Sequence, residues 1–315
     1  MIGNDVTYAA VLDALEVCLA KRGFKARLVS ISHLTDLKKD IDDQYQRGEL
    51  DEAFYEEYLK GFDFNPPEAL PSASSILVVA MPRPQARMSF TWRGKTRVLV
   101  LPPIYSGFCD VPREAGALLN TFLAPLGLGA VPANLPLKPL AAHSGLAEYG
   151  RNNLIYVNGM GSYLQLGAFF TDVPLEDEVW GEMKVMNLCR TCRACMVKCP
   201  TGAITPDRFL IHADRCLVYF NERAADYPFP SWLHAAASNT LVGCMLCQQS
   251  CPVNRPFNGW VDGYAEFSEE ETGWLLHGTA LGNLPEETRA RLEALSLTDL
   301  VDVLPRNLSV FFPDS

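Results

Sequence analysis

The sequence of 315 residues contains no apolar run long enough to cross a bilayer, which takes about 20 residues as a helix. Its first residues, Met1-Ile-Gly-Asn-Asp, also lack the basic region, the twin arginine and the apolar core of a secretory leader. We therefore expect a cytoplasmic protein without a membrane segment.

Basic residues are scarce as well, because 27 Lys and Arg stand against 37 Asp and Glu, a formal net charge of -10. Proteins that bind nucleic acid through its phosphates carry clustered positive charge, so nucleic acid is not the expected partner. The chain has no G-x-G-x-x-G run between a strand and a helix, which argues against nicotinamide dinucleotide binding. It also has no internal repeat and no low-complexity linker.

Cysteine, by contrast, is concentrated: eight of the ten cysteines lie between residues 189 and 251. The first run has the spacing C-x2-C-x2-C-x3-C-P and consists of Cys189, Cys192, Cys195 and Cys199. The second run has only the last three positions, C-x2-C-x3-C-P, and consists of Cys244, Cys247 and Cys251. Bacterial ferredoxins bind 4Fe-4S clusters with the first pattern, and the fourth cysteine of a run crosses to the other cluster. Cys216 is the nearby thiol that remains to complete the second run.

This crossing rule predicts two 4Fe-4S clusters with four thiolates each. The first cluster takes Cys189, Cys192, Cys195 and Cys251, and the second takes Cys199, Cys216, Cys244 and Cys247. Iron-binding thiolates need a reducing compartment, which agrees with a cytoplasmic location. Structural zinc, which uses pairs of C-x2-C, and disulfides, which need an oxidising compartment, remain as alternatives. Cys18 and Cys109 lie outside these runs and receive no function.

Hydrophobic periodicity predicts a mixed α/β (α+β) fold. Helices are predicted over residues 6–21, within 36–61, and over 114–123, 269–276 and 285–295. Strands are predicted over 25–31, 74–81 and 96–101, and residues 154–157 and 163–171 flank a glycine turn that predicts a β-hairpin. We expect an α/β domain over 1–180, a twin-cluster domain over 181–264 and a helical tail over 265–315.

These features together resemble the epoxyqueuosine reductases, the cobalamin-dependent, twin-cluster enzymes of queuosine biosynthesis, and more distantly the reductive dehalogenases. The correspondence covers most of the chain before residue 280 and includes the loop 144–153, the segment 161–174 and Asp214-Arg-Cys216. The resemblance implies a nitroreductase-like α/β domain that binds a corrinoid. It also implies an embedded, bacterial-ferredoxin-like double-cluster domain that relays electrons to the cobalt.

Three departures from the family pattern bear on the activity. The family's aspartate proton donor, in an Asp-x-x-Pro segment, is replaced by Ala133 in Ala-Asn-Leu-Pro. In the loop after Gly145, Glu148, Arg151 and Asn153 replace a tryptophan, a lysine and a threonine. The helical-repeat extension of the larger tRNA-modifying members is absent from this sequence.

The resemblance implies a corrinoid pocket and a substitute proton donor. The pocket residues would be Arg151, Asn152, Asn153, Gly161, Ser162 and Tyr163. Tyr163 and Tyr105 are candidate catalytic acids with Arg151 as a basic neighbour, since reductive dehalogenases are similar in using a tyrosine beside a basic residue. Packing in the core is the alternative role for both tyrosines.

We therefore predict a reductase of EC class 1 in which two clusters relay electrons to a bound cobalamin that reduces an unidentified small molecule. A low-potential donor such as ferredoxin or flavodoxin would supply the electrons. Arg190, Arg193 and Lys198 could dock it, or they could be solvated loop charges that raise the cluster potential. One alternative is an electron-transfer or reactivating protein for a partner enzyme, with no substrate site of its own. Another is an epoxyqueuosine reductase with a different proton donor.

Overall fold

The computed structural model describes residues 8–107, 110–175, 177–224, 226–234 and 237–313. The strands are β1 (Lys25–Ser30), β2 (Ser75–Pro82), β3 (Gln85–Trp92), β4 (Lys95–Leu101), β5 (Ala130–Pro132), β6 (Glu148–Tyr149), β7 (Ile155–Tyr156), β8 (Leu164–Thr171) and β9 (Val261–Phe267). The first helices are α1 (Tyr8–Ala20), α2 (Leu34–Gln46), α3 (Glu52–Phe54), α4 (Asp110–Leu123), α5 (Leu137–His143) and α6 (Ala194–Lys198). The later ones are α7 (Leu217–Asn221), α8 (Leu246–Gln249), α9 (Glu269–Leu276), α10 (Glu286–Ala294) and α11 (Leu304–Ser309).

These elements confirm the predicted mixture of helix and sheet, and the predicted helices appear as α1, α2, α3, α4, α9 and α10. The predicted start of the first helix at Val6, and Cys109, lie outside the described residues. Within the described ranges, every helix is too short or too polar to cross a membrane.

The first of two compact units comprises Met1–Pro82 and Cys109–Cys192. Its main sheet has the strand order β1-β2-β8-β5, and all of its pairings are antiparallel. The strand β2 is buried along its length up to Pro82, which its continuous apolar sequence predicts for a central strand. Helices α1 and α4 pack on this sheet around a core that contains Leu19, Leu119 and Phe169.

The predicted hairpin in this unit is wrong. Strand β8 pairs along its whole length with β2, from Ser75 opposite Thr171 to Pro82 opposite Leu164. Strand β7 pairs instead with β6, and only an isolated bridge between Val157 and Gly161 joins the two segments of the predicted hairpin. The reason is burial: β8 is mostly apolar and is buried on both faces, so it is stabilised more in the centre of the larger sheet than beside a two-residue strand.

The second compact unit comprises Arg83–Phe108 and Arg193–Ser315 and contains a sheet of order β4-β3-β9. Strands β3 and β4 form a hairpin whose turn residues Arg93 and Gly94 both have positive φ, as in a type I′ turn. Strand β9 runs parallel to β3, and the rings of Phe90 and Phe267 stack with their centroids 4.8 Å apart.

The sequence predicted β4 but missed β3 and β9. Pro82 and Pro84 mark a break after β2, and β3 begins at Gln85 directly behind them. The division at residues 180 and 264 stays a prediction. Strands β3 and β4, which lie in the predicted first domain, form one sheet with β9, which spans the predicted boundary at residue 264.

Two histidines stack on Trp180 in the first unit. The ring centroid of His33 lies 3.9 Å from that of Trp180, and the ring centroid of His143 lies 4.7 Å from it. The Nε2 atom of His143 lies 2.7 Å from an Asp40 carboxylate oxygen, and its Nδ1 faces the Gly181 carbonyl oxygen. Burial opposes protonation of His143, but these two acceptors outweigh it and hold its pKa above the usual 6.5. The segment around Trp180 is thus hydrogen-bonded through His143 to Asp40 on helix α2.

Replacing Asp40 with Asn should destabilise the chain more at low pH than at high pH. Because the pKa of His143 is raised on folding, this stabilisation is present below about pH 6.5 and is lost as the pH rises through the folded-state value. We expect a loss of about 1 to 3 kcal/mol in the free energy of unfolding at pH 6, and a smaller one at pH 9, in urea titrations.

Asp42→Asn is the matched control, because Asp42 lies on the same helix and pairs with the exposed Lys38. Its effect should be small and equal at the two pH values. An Asp40→Asn loss of the same size at pH 6 and pH 9 would contradict the proposed charge on His143.

Candidate iron–sulfur site

The four cysteines predicted for the second cluster all belong to the second unit. Cys199 ends helix α6 and Cys216 begins helix α7, while Cys244 lies just before α8 and Cys247 lies inside it. Helices α6 and α8 pack against each other, and they carry Cys195 of the first run and Cys247 of the second. All four residues are partly buried thiols rather than disulfides.

A side-chain amide holds Cys244 in place. The Nδ2 atom of Asn239 lies 3.2 Å from the Cys244 Sγ, and the Asn239 Oδ1 accepts the Met245 backbone N–H at 2.9 Å. Burial raises the pKa of the Cys244 thiol, and the hydrogen bond from Asn239 opposes that shift. A donor to a ligating sulfur stabilises its negative charge and tunes the potential of a bound cluster.

Buried asparagine side chains hydrogen-bond to the turn before Cys244 and to its neighbours. Asn221 donates to the Gly243 carbonyl at 2.7 Å and accepts from the Gly243 N–H at 3.0 Å. Asn307 in turn donates to the carbonyls of Asn221 and Leu241. Gly243 has a φ of 76°, so a glycine is strongly preferred there. These asparagines were missed by sequence reasoning, because no local pattern marks an amide that acts on a distant loop.

The cysteines predicted for the first cluster are distributed over both units, with Cys189 and Cys192 in the first and Cys195 and Cys251 in the second. In the first unit, Cys189 is buried, and the Arg151 guanidinium donates to its carbonyl oxygen at 2.6 Å. The Arg151 backbone N–H also lies 3.5 Å from the Cys189 Sγ. The assignment of thiolates to the two clusters stays a prediction.

Among the residues that the structure describes, no three His, Cys, Asp or Glu side chains converge as ligands of one metal ion. A four-iron cluster places each of its four thiolates on a different iron, so its ligands need not meet at one point.

The loop predicted to contact a corrinoid lies in the first unit. Asn152 is buried and donates to the Tyr156 hydroxyl at 3.1 Å, and Asn153 has a positive φ of 57°. The Arg151 Nε and the Asn153 Nδ2 are buried without a hydrogen-bond partner. Two unsatisfied donors so close in sequence are costly unless a ligand oxygen accepts from them.

The other predicted pocket residues lie nearer the core of the same unit. Ser162 is buried, and Tyr163 has no solvent-exposed surface. Burial raises the pKa of Tyr163 to about 12, so its hydroxyl holds its proton at neutral pH. Gly161, with a φ of 57°, supplies the turn before it.

The second candidate acid, Tyr105, belongs to the second unit. Its hydroxyl donates to the Glu222 carboxylate. Burial raises the pKa of Glu222 to about 7. Ala133, which the sequence resemblance aligns with an aspartate donor, donates its backbone N–H to the Ala168 carbonyl at 2.9 Å and has no acidic side chain.

Comparisons with known proteins agree with the cysteine pattern. The family model described as a 4Fe-4S double cluster binding domain matches residues 188–254. The sequence run and this match define an iron–sulfur protein of the double-cluster type, set in a mixed α+β fold.

The chain resembles epoxyqueuosine reductases in sequence. It is 31% identical to that of Shewanella oneidensis over 150 residues, which cover 45% of this chain and 37% of the relative. It is 34% identical to that of Escherichia coli over 134 residues, 42% of this chain and 32% of the relative. With that of Bacillus subtilis it shares 26% over 219 residues, 63% of this chain and 54% of the relative. The matches thus span about a third to a half of these relatives.

The fold is shared more widely than the sequence. A crystal structure of epoxyqueuosine reductase aligns with a TM-score of 0.67 over 96% of this chain and 81% of the other, at 20% identity. Another, solved with an epoxyqueuosine-modified tRNA stem loop, aligns with the same TM-score and coverage at 22% identity. A catabolic reductive dehalogenase aligns with a TM-score of only 0.39 over 78% of this chain.

Removal of one predicted ligand should halve the iron content. We expect about eight irons in the wild-type chain purified without oxygen and about four in Cys216→Ala, because that thiol completes one of two four-iron clusters. Iron and sulfide assays with EPR spectra of the reduced protein measure this.

The control is Cys18→Ala, since Cys18 is a partly buried thiol on helix α1 of the first unit. It should keep about eight irons. A Cys216→Ala protein that also keeps them would remove Cys216 from the ligand set.

Proposed function

We propose that this chain is a reductase that uses two 4Fe-4S clusters and a bound cobalamin to reduce a small molecule. The match of residues 188–254 to a double-cluster domain, within a fold shared with epoxyqueuosine reductases, carries this proposal. When bound, the clusters supply single electrons and the corrinoid supplies a reactive cobalt. Iron-binding thiolates also need a reducing compartment, for which we propose the cytoplasm.

The residues of the first unit support a corrinoid role through their unsatisfied donors. A corrinoid carries amide side chains with acceptor oxygens, which suit the buried N–H groups of Arg151 and Asn153. Lys138 donates to the Asn153 carbonyl at 3.2 Å and so orients this loop. Tyr163, as a fully buried side chain, would shape the wall of the site and keep water out.

Proton supply differs between the two candidate tyrosines. With its pKa raised to about 12, Tyr163 is a weak acid at neutral pH. Tyr105 is hydrogen-bonded to Glu222, whose pKa of about 7 matches an acid that gives up its proton near neutrality. Of the two tyrosines, Tyr105 is therefore the one with a group beside it that can release a proton near neutral pH.

Two other functions are tested by the same preparation. An electron-transfer or reactivating protein would need the clusters but no corrinoid. An epoxyqueuosine reductase with a different proton donor would act on tRNA, as the structure solved with a tRNA stem loop suggests for its own protein. The net charge of -10 favours a small molecule over that substrate.

Cobalamin binding is the decisive measurement. EPR spectra of cob(II)alamin should change when the chain is added, and Asn153→Gly should weaken binding roughly tenfold, the equivalent of one lost hydrogen bond. Glycine keeps the positive φ at this position while removing the donor.

Asn158→Gly, at an exposed position of the same unit, is the control and should bind as wild type does. No spectral change with the wild-type chain would overturn the cobalamin proposal and favour the electron-transfer protein. Restoration of queuosine in cells that lack the reductase would instead support the tRNA enzyme.

An acidic electron donor fits the exposed face of the first cysteine run. Val197, on helix α6, has 79% of its surface exposed, more than any other large apolar residue in the described part of the chain. Arg193 and Lys198 flank it and are exposed, in a protein of net negative charge. An apolar contact ringed by positive charge is suited to a transient acidic partner such as ferredoxin or flavodoxin.

Reversing these charges should slow electron delivery. We expect Arg193→Glu with Lys198→Glu to lower the rate of cluster reduction by flavodoxin roughly tenfold or more at low ionic strength, and less at high salt. Reduction by dithionite should be unchanged, which stopped-flow absorbance measures.

The control double variant, Lys21→Glu with Lys39→Glu, changes the net charge equally at exposed positions of the first unit. It should leave the flavodoxin rate nearly unchanged. Equal slowing by both double variants would contradict docking at α6.

A further inference from the structure

A carboxyl group with an unusual pKa lies directly after helix α7. Glu222 caps this helix through its backbone N–H, and its side chain accepts a hydrogen bond from the Tyr105 hydroxyl. Burial raises the pKa of Glu222 to about 7, whereas an exposed glutamate is ionised at neutral pH. The residue keeps a partly exposed edge, through which a proton can exchange with solvent.

Tyr105 connects this carboxyl to the turn that carries Cys244. A Cβ atom at Gly243 would lie 2.6 Å from a ring carbon of Tyr105 and 2.8 Å from its hydroxyl oxygen. The tyrosine hydroxyl therefore rests on the backbone immediately before Cys244. Asn221, the neighbour of Glu222 in sequence, bonds to both backbone groups of Gly243. Glu222 is thus linked to the turn before Cys244 in two ways, through Tyr105 and through its sequence neighbour Asn221.

The neighbouring segments carry charged groups of both signs: Asp226 follows Glu222 in sequence, and Asp214 and Arg215 lie on the turn that packs against helix α7. The Arg223 guanidinium lies over the rings of Tyr219 and Tyr227, at 4.1 and 4.5 Å from their centroids. Arg306 donates to the carbonyl oxygens of residues 223, 224 and 227. Beside Tyr105, Arg83 donates to the Ser106 carbonyl. Arg83, Arg223 and Arg306 bind rings and carbonyls, and burial is the cause of the shift at Glu222.

We propose that Glu222 takes up one proton when the second cluster, on Cys199, Cys216, Cys244 and Cys247, accepts one electron. This inference rests on the proposed function, which supplies the cluster and a low-potential one-electron donor. Reduction adds one negative charge to the cluster, and the ionised carboxylate takes one proton from water, so the charge of the site is conserved. The physical cause is like-charge repulsion, which is strong where water is excluded.

The test is the midpoint potential of each cluster as a function of pH in the whole, anaerobically purified chain. EPR-monitored titrations should find one cluster whose potential falls above about pH 7, by up to about 59 mV per pH unit, the one-electron equivalent of a tenfold change in proton concentration. Glu222→Gln should abolish this slope, while Glu266→Gln, an exposed position on β9, should keep it.

Two clusters with potentials independent of pH, or a slope that persists in Glu222→Gln, would overturn the inference and leave the proposed function intact. Fewer than about eight irons in the wild-type chain would overturn both. If Glu222→Gln fails to hold its clusters, infrared difference spectra of the wild-type chain decide. Reduction must produce the C=O band of a protonated carboxyl, and the absence of that band would refute proton uptake.

Discussion

Most of the cysteines predicted for the second cluster lie on irregular loops, which have no repeating backbone hydrogen bonds. Other contacts must therefore hold these thiols in place. The chain meets this requirement with buried amide side chains. Asn221, Asn239 and Asn307 satisfy the backbone groups around Gly243 and Cys244, and Asn239 also reaches the sulfur. Because an unsatisfied buried N–H or C=O group costs about 1–3 kcal/mol, such a network fixes the loop in one geometry.

The same loop region combines two kinds of charge control. Near Cys244, a hydrogen-bond donor faces the sulfur and favours its negative charge. Near Glu222, the removal of water disfavours negative charge, and the Tyr105 hydroxyl donates a hydrogen bond to the carboxylate. The proposed reductase would use both effects, because it would accept electrons at accessible potentials and take up protons with them.

In the first unit, the central pairing of β2 with β8 organises the structure. It leaves the residues before β8 to form a short β6–β7 ladder, whose intervening loop carries Arg151 and Asn153. Arg151 then binds the carbonyl of Cys189, so the predicted corrinoid loop and the first cysteine of the run are held together. Arg151, which departs from the family pattern, therefore contacts the first cysteine run as well as lying in the candidate corrinoid pocket with Asn153.

The sequence alone determined what depends on near neighbours in the chain. The spacing of the cysteines predicts clusters because a short loop dictates which sulfurs can bind together, and the continuous apolar run of β2 predicts a central strand for the same local reason. Tertiary structure decided what depends on partners far apart in sequence. It paired β8 with β2 instead of β7, placed β3 beside β9, and brought Tyr105 to Glu222 and Asn307 to Asn221. Those contacts form because they bury apolar sheet faces and satisfy buried polar groups. Neither effect produces a recognisable spacing of residues in the sequence.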